Sequence, residues 1–257
     1  GYIGSHMVKL LGRRGCHVTT LDDLSSGHRD TVLAGDFIQG DMADAALLRN
    51  VFATRPYDAV MHFASFIEVG ESVREPAKYY RNNVANTLTL LAAMREAGVD
   101  RFIFSSTAAI FGTPQYVPID ERHPRAPINP YGRTKNMVED VLADYAQAYG
   151  LCSVCLRYFN AAGADPDGEL GERHDPESHL IPLALQAASG RRPGLSIYGT
   201  DYDTPDGTCI RDYVHVSDLC DAHWLALESL RDGAASQAYN LGNGNGFSVY
   251  SLYQIHN

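Results

Sequence analysis

Short apolar, β-branched runs alternate with longer helix-periodic stretches from Gly1 to Asn160, and this alternation is what most constrains the fold. Strands are expected over residues 16–21, 37–39, 59–63, 101–105 and 153–157. Helices are expected over 5–13, 43–53, 76–97 and 130–149. Strands apolar enough to be buried on both faces, joined by helical crossovers, imply a doubly wound, Rossmann-type parallel sheet covered by helices. The first strand of such a sheet is expected before Gly1.

After about Gly163 the texture changes, since 164–178 is rich in Asp, Glu, Gly and Pro and reads as a long loop. A helix (179–188), a strand (195–198), a turn-rich stretch (200–208), a helix from Ser217 and a strand (238–241) follow. Residues 1–162 are therefore expected to form a dinucleotide-binding domain, and 163–257 a smaller, incomplete cap over its ligand.

Composition narrows the classes. Lys+Arg 21 against Asp+Glu 31 gives a net charge of −10 with no basic block, which disfavours nucleic-acid binding. At 45% hydrophobic residues the chain can build a substantial core. The uncharged stretch 102–119 is interrupted by Ser, Thr, Gly and Pro, so no membrane span is expected. An odd count of five cysteines, without an apolar leader, points to a reduced, cytoplasmic protein.

Gly1-x-x-Gly4 opens directly into a helical pattern, and Asp22 and Asp23 end the next strand. Glycines let a backbone approach a pyrophosphate, and a helix N-terminus offers it unpaired N–H groups. An acidic residue about 20 positions on would bind a ribose 2′-hydroxyl and repel a 2′-phosphate, favouring NAD over NADP. A tight turn before a surface helix would use the same two glycines. Asp41-Met42 and His62-Phe63-Ala64-Ser65 also lie at strand ends, where open α/β sheets bind ligands. Asp41 serves equally as a helix N-cap, and His62, in an apolar run, reads as a core histidine.

The strongest local signal is Tyr131-Gly132-Arg133-Thr134-Lys135 at the head of a helix. Tyr and Lys at i and i+4 share a helical face. With 15 tyrosines and three lysines, chance gives roughly 0.2 such pairs. A lysine cation and a nicotinamide cation would lower the phenol's pKa, so that Tyr131 could take a proton from an alcohol while a hydride leaves the same carbon. An exposed Tyr–Lys pair would carry no such chemistry. Ser105-Ser106-Thr107 ends a strand at the same cleft edge and could relay the proton. Cys152 and Cys155 sit at i and i+3 of a strand, which separates their side chains. His174 and His179 lack metalloprotease spacing, and no metal is expected. Arg191-Arg192 reads as a solvated helix end.

Taken in order, these motifs resemble the extended short-chain dehydrogenase/reductases, most closely those that act on UDP-sugars. Gly1-Tyr2-Ile3-Gly4-Ser5-His6, Glu68-Val69-Gly70-Glu71-Ser72, Tyr79-Tyr80-Arg81-Asn82-Asn83, Leu156-Arg157-Tyr158-Phe159-Asn160 and Arg211-Asp212-Tyr213-Val214-His215-Val216 carry the likeness. It implies reversible inversion at C4 of a UDP-hexose through a 4-keto sugar, with NAD retained. It makes Tyr131 the base, Lys135 its partner and Thr107 a contact of the substrate hydroxyl. Gly1, Tyr2, Ile3, Gly4, Asp22, Asp23, Ser26, Asp41, Met42, Phe63, Ala64, Ser65, Asn82, Ser105 and Phe159 match the cofactor side, together with Tyr131 and Lys135. Asn160, Leu180, Tyr198 and Arg211 match the uridine-diphosphate side. A homodimer is implied through residues 76–97 and 130–149. A nucleotide-sugar dehydratase is the near alternative, but Ala108 and Ala109 stand where that chemistry needs an acid pair. A fragment that only binds dinucleotide is the other. Asp23 replaces the usual Asn, Ile67 a usual Lys, and the sequence departs from the family after Val249, so a fragment truncated at both ends is expected.

Overall fold

The computed structural model describes residues 1–255. Helix α1 (Tyr2–Arg13) opens the chain, followed by β1 (Thr19–Asp22), β2 (Asp36–Gln39), α2 (Ala45–Ala53) and β3 (Val60–His62). Next come α3 (Val69–Arg74), α4 (Pro76–Tyr79), a π-helical segment (Tyr80–Ala85) and α5 (Asn86–Ala97). Strand β4 (Arg101–Thr107), α6 (Pro130–Tyr149), β5 (Cys152–Tyr158) and β6 (Asn160–Ala162) complete the first part. The remainder holds α7 (Leu180–Ala188), β7 (Ile210–Arg211), β8 (Tyr213–His215), α8 (Val216–Arg231), β9 (Gln237–Leu241), β10 (Phe247–Ser248) and α9 (Val249–Ile255). Of the segment after Val249, His256 and Asn257 lie outside the described residues.

Punctuation sets the helix ends. Asp44 caps α2, accepting from Ala46 N (2.9 Å) and Leu47 N (3.0 Å), so this helix starts at Ala45 rather than at residue 43. Pro130 begins α6, while Gly98 and Gly150, both left-handed, end α5 and α6. The helix expected over 76–97 is interrupted by the π-helical turn, which widens the backbone at Asn82 and Asn83.

The main sheet is parallel, in the order β3-β4-β5-β9, and β1 pairs β2 in a separate parallel pair. One face is covered by α5 and α6, with Phe102, Phe104, Leu91, Met94 and Leu142 in its core. The other packs Ile103, Val154 and Leu156 against Ala226, Leu227 and Leu230 of α8. Strands β4 and β5 are thus buried on both sides, as their unbroken apolar runs require.

The second half differs from expectation in two ways. Strand β9 pairs in register with β5, and α8 covers the sheet, so this half contributes to the first layer instead of forming only a cap. The strand expected over 195–198 is irregular chain, which leaves Tyr198 85% exposed. Two-stranded pairings, β6 with β8 and β7 with β10, make up the rest. No helix among the described residues is long and apolar enough to cross a membrane.

Candidate active site

The parallel strands deliver their C-terminal ends to one edge, and most of the singled-out residues lie there. Gly1 precedes α1 with no side-chain cap, so the first-turn N–H groups are left for another acceptor. A Cβ on Gly4 would stand 3.6 Å from Phe63, which follows β3, in ordinary van der Waals contact. The Gly1 nitrogen is 3.5 Å from Asp22 Oδ2 at the end of β1. Asp22 Oδ1 accepts from Leu24 N (2.8 Å), and Leu24 turns the chain with a φ of 62°. Asp23 binds Ser25 instead and, like Ser26, is exposed. Asp41 follows β2 and accepts from Ala43 N (2.8 Å), beside buried Met42. Tyr2 donates its hydroxyl to Gly163 O (2.6 Å), tying α1 to the loop after β6, while Ile3 packs beside Met7 and Val216.

Tyr131 and Lys135 share the first turns of α6, and both are almost wholly buried. Asn129 accepts from Gly132 N (2.8 Å) and fixes the start of the helix. Gly132 lets that start press on β4's continuation, since a Cβ there would meet Ala109 O at 2.5 Å. Gly132→Ala is expected to lower stability by about 1–3 kcal/mol through this overlap, measurable by urea denaturation.

Lys135 Nζ donates to Ser105 O (2.7 Å) and Ser65 Oγ (2.9 Å) and lies 4.7 Å from the Phe104 ring centroid. One further ammonium proton is available to a ligand hydroxyl. Burial lowers its pKa to about 7, opposed by the charge of Glu139. A lysine ordinarily titrates at 10.5, so between about 7 and 10.5 the unfolded chain binds more protons than the folded one. Stability of the cofactor-free chain should therefore rise with pH across that window. Lys135→Met should flatten the rise when the two unfolding curves are compared.

Burial raises the Tyr131 pKa, and the Thr107 hydroxyl partly offsets this. The protein alone therefore holds this phenol protonated. Thr107 ends β4 and also caps the short 3-10 turn Ala108–Phe111 through Ala109 N (3.2 Å). Ser105, expected to face the cleft, instead shares a 3.0 Å bond between its Oγ and His223 Nε2, and only its carbonyl reaches Lys135.

Several contributors carry no local sequence signal. Asn83, in the π-helical turn, donates to Phe66 O (3.0 Å) and Thr134 Oγ1 (3.2 Å) and accepts from Phe66 N (2.9 Å). It thereby pins the loop after β3 to α6. Its neighbour Asn82 donates to Ala64 O (3.4 Å). Glu139, one turn beyond Lys135, is buried between Ser106 and Arg157, with Arg157 Nη2 at 2.6 Å. His62 is the core histidine expected, buried against Thr87 Oγ1 (3.2 Å), with a pKa lowered to about 3 by burial.

On the other side of the edge, Asn160 follows Phe159 and donates to Asp212 O (2.8 Å), joining β6 to β8. Leu180 starts α7 half-buried, whereas Arg211 is exposed on β7 and donates to Ile210 O. Tyr198 is not packed against any of them.

A phenol and an ammonium buried together on one helix, at the end of a parallel sheet whose first helix leaves its N–H groups open, suit a dinucleotide-dependent enzyme that moves a proton and a hydride at one carbon. The chain belongs to the NAD dependent epimerase/dehydratase family, whose model matches residues 1–242. It is 54% identical over 252 residues to the UDP-glucose 4-epimerase of Rhizobium leguminosarum bv. trifolii, covering 98% of this chain and 77% of that one. Its fold is similar to the UDP-glucose 4-epimerase from Brucella ovis in complex with NAD, with a TM-score of 0.96 and 54% identity over 99% of this chain and 78% of the other. The enzyme from Bifidobacterium longum in complex with NAD+ and UDP gives a TM-score of 0.90 at 37% identity, covering 98% and 78%.

Proposed function

We propose that the chain catalyses NAD-dependent, reversible inversion at C4 of a UDP-hexose, interconverting UDP-glucose and UDP-galactose. The observation that carries this reading is the buried Tyr131–Lys135 pair at the strand ends, in a chain 54% identical to an enzyme of that name. Tyr131 would take the 4-hydroxyl proton, directly or through Thr107, and later return it. When bound, NAD supplies a reversible hydride acceptor at C4. The open N–H groups after Gly1 suit its pyrophosphate, Asp22 its ribose, and Lys135 retains a donor for a second ribose, so the residues present fit the cofactor.

Residues 1–162 form the cofactor side in this reading, and the segment from 163 the UDP-sugar side through Leu180, Tyr198 and Arg211, with Asn160 at the border between them. Ala108 and Ala109 supply no acid or base beside the keto sugar, which favours inversion over dehydration. Five free cysteines suit a reducing, cytoplasmic setting. Exposed Leu88 on α5 and Met137 on α6 suit a homodimer through those helices.

Turnover in D2O tests the chemistry. Product recovered with its C4 hydrogen unexchanged is expected, because the hydride returns to the carbon it left. Deuterium at C4 would mean a carbanion route and overturn the reading. Asp22→Ala should narrow the preference for NAD over NADP by about tenfold, seen by comparing the two dissociation constants.

A further inference from the structure

Outside that machinery, Glu172, His174, Glu177 and His179 converge in the irregular chain leading to α7. One ligating atom from each lies within 4.8 Å of the others. His179 Nδ1 is 2.9 Å from Glu172 Oε1 and 3.0 Å from Glu177 Oε1. His174 Nδ1 is 3.2 Å from Glu172 Oε1 and 3.9 Å from Glu177 Oε2.

Two observations set this group apart from a surface cluster. Both glutamate side chains are only 8% exposed, and among the described residues their cationic partners within 4 Å are the two histidines alone. Buried carboxylates demand a compensating cation. Meanwhile His174 Nδ1 is fully buried and makes no hydrogen bond, although it stands beside both carboxylates. This nitrogen lies 3.2 Å from a carboxylate oxygen without the direction a hydrogen bond needs, as a ligand atom pointing between the carboxylates would.

We propose that Glu172, His174, Glu177 and His179 form a binding site for a divalent transition-metal ion of the Zn2+ type. Bonds of about 2.0–2.2 Å to four tetrahedral ligands put those ligands about 3.3 Å apart, near the middle of the separations seen. Two imidazoles beside two carboxylates favour Zn2+ over Mg2+ or Ca2+, which prefer oxygen alone. Four protein ligands close the site, so the ion's role is structural. Histidine spacing gave no hint of it, because two of the four ligands are glutamates, one before His174 and one between the histidines.

The position gives the ion something to hold. Ser178 Oγ donates to Glu68 Oε1 (2.8 Å), and His28 Nε2 lies 3.2 Å from Arg173 O. A bound ion would lock the loop across the ends of β1 and β3 and set the entry to Leu180.

The test uses the untagged chain, mixed with ZnCl2, desalted and analysed for metal, with Co2+ as a spectroscopic probe. Retention of about one Zn2+ per chain, with visible tetrahedral Co2+ bands, is expected. The bound metal should be lost in His174→Ala/His179→Ala; His174→Gln, judged by circular dichroism, serves if the double variant does not fold. No retained Zn2+, equal retention by the variants, or a thiolate charge-transfer band showing the ion on cysteine would each overturn the proposal.

Discussion

Tyr131→Phe is expected to reduce turnover of UDP-galactose by about 10³-fold or more while leaving NAD bound and the fold intact. The ring stays buried among the same neighbours, so the change removes one hydroxyl and little packing. What is lost is the group that can hold the 4-hydroxyl proton. Because burial raises this phenol's pKa in the protein alone, positive charge on the bound cofactor and on Lys135 is what would favour the phenolate. Rates that fall by less than tenfold, with NAD content unchanged, would remove Tyr131 from the chemistry.

Glu139→Ala is the substitution with the largest expected effect on stability, about 3–5 kcal/mol. Arg157 reaches this carboxylate through Nε and Nη2, and both side chains are more than nine-tenths buried. Removing the acid strands a guanidinium inside the protein and frees Ser106 Oγ of its acceptor. It also removes the charge that supports the Lys135 ammonium, so catalysis should weaken along with stability. Glu139→Ala/Arg157→Leu, measured by urea denaturation, should recover much of the loss, since it deletes both charges together. A single variant as stable as the parent would show that Arg157 finds another partner.

How far the sequence reveals these arrangements depends on whether the signal is local. Helix α6 is legible to the residue because Pro130 and Gly150 bracket it, and Tyr131 and Lys135 are fixed on one face by spacing alone. Strands β4 and β5 are equally plain, since only a doubly covered strand tolerates such apolar runs. Strand β9 is visible as a strand, yet nothing within residues 237–241 says that its partner is β5. The same limit hides Asn83 and Glu139, whose partners Phe66, Thr134 and Arg157 come from other elements. Ser105 shows the reverse error, a residue placed correctly at the strand end whose hydroxyl is claimed by His223 from the opposite layer. The expected strand over 195–198 fails because two glycines and Pro193 surround it and no neighbouring strand pairs with it.

The most direct measurement is chromatographic: the chain is supplied with NAD, mixed with UDP-galactose, and the nucleotide sugars are separated over time. Conversion to a mixture containing UDP-glucose is expected, the same mixture reached from either sugar, with no net consumption of NAD. Release of a dehydrated or oxidised sugar, or unchanged UDP-galactose from a chain shown to hold both NAD and UDP, would contradict it.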